Sequence, residues 1–244
     1  MLRIIDARTG ESVAAAPARR GLTRVEAHAS GDDTGALRVL LVADVLVRAL
    51  ELGGTPVLAT LAAGGEPAKL RAAAADLGIR PFEEGRGLGD GVGGAQALHV
   101  VRAGAETPDG VRIGVGPVLT PASAASAPGD ADPAVLRLAL LSHRHADPVA
   151  LDEAALGAAR DTLVRWRAAV ADWARRPSRP VPEEVRGRLR AAWEDDLDVP
   201  EVLRILRRVE EAGPQLPDGA RFETYAYADR LLGLELTLNV GSPS

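Results

Sequence analysis

The stretch "SGDDTGALRVLLVADVLVRALELGG", Ser30 to Gly54, reads as a loop feeding a buried helix. A helix N-terminus offers unpaired backbone N–H groups and the positive end of the dipole, so it is a natural seat for phosphate or carboxylate. The first turn carries Gly35 and Arg38. Arg38 lies away from the polar stripe of that helix and either snorkels to solvent or faces an anion at a sheet edge. The four histidines are the other candidates for chemistry. His143 and His145, in "SHRHADP", are two apart without a carboxylate at ligand spacing, so a solvated turn is expected rather than a metal site. His99, in "ALHVVRAG", stands on a strand candidate, where it has a structural reading and an acid–base one. The acidic cluster Glu194, Asp195, Asp196 and Asp198 invites a magnesium reading, but its place just before Pro200 favours capping of the next helix.

The chain that must position these groups has 244 residues, 46% of them hydrophobic, enough for one large domain or two small ones. It has no cysteine, which removes disulfides and thiolate metal sites. Of its 29 basic residues Lys69 is the only lysine, and the net charge of −5 argues against a broad nucleic-acid surface. No apolar run reaches the roughly 20 residues that span a bilayer, so a cytoplasmic protein is expected.

Short apolar segments at 25–29 and 56–61 flank a helix expected over 35–52, making a strand–helix–strand unit. On that helix Asp44, Arg48 and Glu51 form one narrow polar stripe. A second helix is expected over 69–77, closed by Gly78. The glycine-dense "EEGRGLGDGVGGAQ" from Glu83 overlaps a dinucleotide-loop pattern through Gly87 and Gly89, but it has no preceding strand or following capped helix and reads as a linker. "TPASAASAPGDADP" is low in complexity. From Pro133 the texture changes to helices, expected over 133–142, 151–175, 182–194, 199–212 and 221–234. The expected architecture is therefore α/β: a reduced Rossmann-like domain over 1–130, then a helical bundle over 131–244.

The second half resembles the cysteinyl-tRNA synthetases, class I enzymes that activate cysteine with ATP and load it onto tRNA. "DPAVLRLALLSHRHADPVALDEAALGAARDTLVRW" shares with that family Asp132, Pro133, Leu136, Arg137, Leu141, Ser142, Pro148 and Leu156. The family's Asp-Asp-Asp-Phe/Leu-Asn-Thr-Pro element is similar to "EDDLDVPEVLRIL", and its closing helix to "ADRLLGLEL". "MLRIIDARTGE" looks like its first hairpin, and "GIRP", Gly78 to Pro81, like an element it carries before its insertion domain.

The resemblance implies where the family's chemistry would sit. Arg38 matches the arginine after the His-Ile-Gly-His signature, which falls on Asp33, Thr34, Gly35 and Ala36, so the glycine is kept and both histidines are replaced. The Lys-Met-Ser-Lys-Ser signature falls on "DGVRIGVG", with Arg112 for its first lysine and Val115 for its second. His28 stands where the family has the first of four zinc ligands, but the segment carrying the other three is missing, and so are most of the insertion domain and the anticodon-reading end. A residual nucleotide or anion site at Gly35, Arg38 and Arg112 is expected, with His28, Asp33, Thr34 and His99 around a substrate cleft. No catalytic residue is assigned and no zinc is expected; ATP or an adenylate is the cofactor the frame would accept.

Two functions follow as expectations. One is a synthetase-like pseudoenzyme, without cysteine activation or tRNA charging, kept as a binding or scaffolding module for a small aminoacyl or nucleotide ligand or a protein partner. The other is a small biosynthetic enzyme that uses the cleft for an aminoacyl, adenylate or thiol substrate. Contact of the arginine-rich helical surface with tRNA is expected to be weak or absent.

Overall fold

The computed structural model describes residues 1–16, 22–64, 67–84, 97–106, 109–119 and 132–241. Most of the glycine-dense stretch, with Gly87 and Gly89, and most of the low-complexity stretch after Leu119 lie outside them, as does the boundary expected near residue 130. The chain divides into two compact units. The first holds residues 1–119, 144–149 and 194–197, and the second 120–143, 150–193 and 198–244.

The first unit opens with a hairpin of β1 (Arg3–Ile5) and β2 (Ser12–Ala14), paired antiparallel. Its turn is organised by Asp6, whose carboxylate accepts the N–H groups of Arg8 at 3.0 Å and Arg112 at 3.2 Å. Burial alone would raise the Asp6 carboxyl, but those two N–H groups and the Arg8 guanidinium together hold it below the ordinary aspartate value. A depressed carboxyl stabilises the fold above its unfolded-state pKa, and that stabilisation fades as pH falls through the folded-state value. Unfolding free energy measured from pH 6 down to pH 2 should therefore drop more steeply for the natural protein than for Asp6→Asn; parallel curves would refute this account.

The main sheet is parallel, in the order β5 (Glu83–Glu84), β4 (Val57–Gly64), β3 (Thr23–Ser30), β6 (Ala97–Arg102), β7 (Val111–Val115). Strand β3 alternates because one face is covered: Val25, Ala27 and Ala29 are fully buried, whereas Arg24, Glu26 and His28 are half-buried. The helix α1 (Thr34–Leu52) is buried along most of its length, as its run of Leu and Val demands. Each such side chain removed from water contributes roughly 1.5–3 kcal/mol. The polar stripe is buried at Asp44 and opens to solvent at Glu51. Asp44 is 1% exposed and ion-paired to Arg48 at 2.8 Å and to Arg80 at 3.0 Å, and Arg80 also reaches Glu51 at 2.6 Å. A lone buried carboxylate would be strongly destabilising, and the arginine of "GIRP" supplies one of the two partners that prevent this, on the oxygen Arg48 leaves open. The helix α2 (Pro67–Asp76) follows β4 and is closed by Gly78 at φ +67°.

The second unit is helical: α3 (Pro133–Leu141), α4 (Glu153–Trp173), α5 (Glu183–Glu194), α6 (Val199–Glu211) and α7 (Asp218–Leu232), within a few residues of the expected ranges. Glu194, the last residue of α5, belongs to the first unit. Caps mark the starts: Asp132, Asp152 and Asp198 each accept a backbone N–H from the first turn that follows. Asp198 thus caps α6, as the capping reading of the acidic cluster expects. At the centre, Tyr225 sits edge-on to Trp166 and Trp173, with centroids 5.5 and 5.2 Å away, and its hydroxyl donates to the Leu206 carbonyl at 2.9 Å. Two buried arginines close the end of α7: Arg137 donates to the Leu232 carbonyl at 2.6 Å, and Arg167 to the Leu234 carbonyl at 2.9 Å and to the Asp132 carboxylate. The resembled "DP…LR" and "LLGL" segments are therefore parts of one hydrogen-bonded core.

Candidate functional site

In the sheet the chain runs outward from β3 to β4 and β5, then returns to place β6 on the other side of β3. The strand order reverses between β3 and β6, and in open parallel sheets ligands bind beyond the carboxyl ends of the strands at that reversal. The end of β3, the loop after it and the end of β6 supply Ser30, Asp33 and Arg102 there.

Asp33 caps α1, its Oδ1 accepting the Ala36 N–H at 2.8 Å. Arg102 binds the same oxygen at 2.5 Å and donates to the Ser30 carbonyl at 3.1 Å. Burial would raise the Asp33 carboxyl, but the Arg102 hydrogen bond and the helix N–H groups outweigh it and hold the carboxyl below its ordinary value, so it is ionised at neutral pH. A Cβ on Gly35 would stand 3.1 Å from Asp33 Oδ1 and 3.2 Å from Arg102 Nη1, so the glycine leaves room for this pair. Thr34 begins α1 and is half-buried, and Ala36 is fully buried. Arg102 was not foreseen as a site residue, because nothing in "ALHVVRAG" announces that the strand ends beside the α1 N-terminus.

Arg38 goes neither to solvent nor to an open sheet edge. It is 1% exposed, and its guanidinium donates to the carbonyls of Asp147 at 2.6 Å, Gly116 at 2.7 Å and Arg144 at 2.8 Å. Desolvation lowers its pKa to about 10 despite the nearby Asp147 charge, so it stays charged at neutral pH. The 144–149 segment is tied to the same place, with Gly116 N–H donating to the His145 carbonyl at 2.8 Å and Val149 N–H to the Pro117 carbonyl at 2.9 Å. His145 departs from the solvated turn expected for it. It is buried, its Nδ1 3.0 Å from the Gly114 carbonyl and its Nε2 3.3 Å from the Asp196 carboxylate, and Asp196 also accepts the Ile5 N–H. His143 is exposed, as expected of a turn.

The sheet register brings the other histidines together. Glu83, Thr60, Glu26, His99 and Arg112 stand opposite one another on β5, β4, β3, β6 and β7, one polar row across five strands. Partners in a parallel register point to the same face, and His28, two residues after Glu26, shares it. His28 Nε2 lies 2.9 Å from His99 Nδ1, and Glu26 Oε2 lies 3.6 Å from the same nitrogen. His99 Nε2 is 3.3 Å from the Asp109 carbonyl, which can only accept, so the proton is on Nε2 and Nδ1 of the neutral ring accepts from His28. Desolvation lowers the pKa of both imidazoles. For His28 the charge of Glu26 opposes the shift and that of His99 adds to it; for His99 the Asp109 carbonyl and Glu26 oppose it, and Arg24 and Arg112 add to it. The sequence reading left His28 as an isolated imidazole and missed Glu26; the structure gives it a histidine and a carboxylate as neighbours. Arg112 lies in this row with its backbone tied to Asp6 and Ala7, and Val115, at the second signature lysine, is buried.

Comparison with known proteins gives one kind of relative. Over 73 residues, 30% of this chain, the sequence is 51% identical to an L-cysteine:1D-myo-inositol 2-amino-2-deoxy-alpha-D-glucopyranoside ligase of Parafrankia, of which the match covers 16%. Proteins of the same name from Streptosporangium roseum and Streptomyces griseus are 36% identical over 110 residues and 37% over 108, which is 44% and 43% of this chain and 26% and 25% of theirs. The chain thus spans about a quarter of the length of the curated relatives it matches, or less. No family model matches the sequence. No helix among the described residues is long and apolar enough to cross a membrane.

Proposed function

We propose that this chain is a ligase-derived α/β module that neither activates cysteine nor charges tRNA, and that it serves as a binding or scaffolding unit for a small aminoacyl or nucleotide ligand or for a protein partner. The observation that carries this reading is the ion pair at the mouth of α1. Activation of an amino acid with ATP passes through a pentacoordinate α-phosphate whose growing charge needs donors fixed in advance. At the two positions where the resembled synthetases keep imidazoles stand an ionised Asp33, paired with Arg102, and a buried Ala36 with no donor. Arg38 is committed to backbone carbonyls, and Val115 replaces an ammonium. Losing one such donor costs about 10²–10³-fold in rate, and several are missing.

The expected result is no cysteine-dependent ATP–pyrophosphate exchange by the purified protein; clear exchange above a no-cysteine control would overturn the proposal. A second reading, a small-molecule ligase acting on an aminoacyl, adenylate or thiol substrate, is favoured by the cysteine-ligase names of the relatives and by the Glu26, His28 and His99 cluster. Turnover separates the two, because only the enzyme consumes ATP to join an aminoacyl group to an amine or thiol; calorimetric titration with ATP, a cysteinyl-adenylate mimic and tRNA tests the ligand that both readings allow. Adenylate binding that weakens in Arg112→Ala is a condition of the enzyme, and absence of binding at about millimolar ligand sinks it.

A further inference from the structure

We infer that Glu26, His28 and His99 form a binding site for one divalent transition-metal ion of borderline softness, zinc above all. The donors come from two adjacent parallel strands, β3 and β6, and each offers a ligand atom within 4.8 Å of the other two. Metal–ligand bonds of about 2.0–2.2 Å place neighbouring donors roughly 2.9–3.5 Å apart at ligand angles between 90° and tetrahedral. The two nitrogens are 2.9 Å apart, and His99 Nδ1 is 3.6 Å from Glu26 Oε2.

The tautomers fit as well as the distances. The Asp109 carbonyl holds the outer Nε2–H of His99, the arrangement by which metal-ligating imidazoles are commonly oriented, and this turns the Nδ1 lone pair toward His28 and Glu26. That lone pair and the Glu26 carboxylate face each other with a single His28 proton between the three groups, and a cation at their centre relieves that repulsion. Gly110 makes the support possible: at φ +149°, a Cβ there would stand 2.7 Å from His99 Cδ2 and 2.8 Å from Nε2. His99 is 1% exposed, which fixes its ring, while Glu26 and His28 are half-buried, which leaves an ion a way in.

Two imidazoles and one carboxylate suit zinc, cobalt or nickel better than magnesium or calcium, which prefer all-oxygen shells. Three protein ligands leave a fourth position for water or an exchangeable anion. The donor set is not the cysteine-based set of the resembled synthetases, from which only the place of His28 carries over.

The test uses the full chain, stripped with chelator and titrated with Zn²⁺, Co²⁺ and Mg²⁺ by calorimetry, with the visible absorption of Co²⁺ as a second readout. The expected result is one Zn²⁺ per chain, Co²⁺ spectra of low-symmetry nitrogen–oxygen coordination, and no Mg²⁺ binding. His28→Gln and Glu26→Gln, both on partly exposed positions and checked for native circular dichroism, should weaken Zn²⁺ by about 10–100-fold or more. Failure of the natural protein to bind Zn²⁺ at millimolar concentration overturns the inference. So does binding that is unchanged in both folded variants, which would assign the ion to another site such as His143. Neither outcome depends on nucleotide, so this test and the pyrophosphate-exchange test fail independently.

Discussion

Arg38→Met should lower the stability of the first unit by about 3 kcal/mol, although Met keeps most of the buried stem. The guanidinium holds the carbonyls of Gly116, Asp147 and Arg144, two of them on the segment that returns at residues 144–149. A buried acceptor left without a donor costs about 1–3 kcal/mol, and two lose theirs here, the buried Gly116 carbonyl and the part-buried Asp147 carbonyl, whereas that of Arg144 keeps the Asp147 N–H at 3.1 Å; removing the buried charge itself offsets part of that sum. If Arg38 instead waited with an unsatisfied charge for an anionic ligand, the same substitution would leave stability unchanged or improve it. Urea unfolding followed by circular dichroism distinguishes the two, because the first account shifts the midpoint sharply downward and the second does not.

Gly110→Ala is expected to cost a similar amount, about 3 kcal/mol, by a different route. The φ of +149° is costly for any residue with a Cβ, roughly 1–3 kcal/mol, and the new methyl would meet the Ala97 carbonyl at 2.8 Å and the His99 ring at 2.7 Å. Backbone cannot move aside as a long side chain can. Gly10→Ala is the control: its φ is +73°, but nothing lies within 4 Å, so only the backbone preference of about 1 kcal/mol is lost. Thermal unfolding should therefore rank natural protein above Gly10→Ala above Gly110→Ala. Equal midpoints for the two variants would show that the β7 entry does not hold His99 as described.

The helical half was legible because its signals are local. Asp132, Asp152 and Asp198 sit one residue before apolar runs of 3.6-residue period, and a cap needs only the N–H groups of the next turn. Strand β3 and helix α1 were legible for the same reason. The site was not. The cluster depends on register between strands whose contacting histidines are 71 positions apart, and no spacing along the chain encodes which residue of β6 stands beside Glu26. Arg38 shows the limit from the other side: its place in the first turn of α1 was read correctly, but its partners lie beyond residue 115 and are carbonyls, which carry no residue-type signature. The polar stripe of α1 was visible as periodicity, whereas the burial of Asp44 within it depended on Arg80 arriving from a loop.

The interleaving of the two units bears on how the chain is made. The first unit needs residues 144–149 to occupy Arg38 and residues 194–197 to complete the hairpin, where Asp196 accepts the Ile5 N–H and donates its own N–H to the Arg3 carbonyl. During vectorial synthesis at about 5–20 residues per second, the amino-terminal sheet emerges many seconds before those segments. Until they arrive, Arg38 and the hairpin edge must remain hydrated or be shielded by other contacts. The second unit waits as well, because Arg137 and Arg167 find the Leu232 and Leu234 carbonyls only when the end of α7 has emerged. The first unit is thus complete once residue 197 has emerged, and the second only after the end of α7.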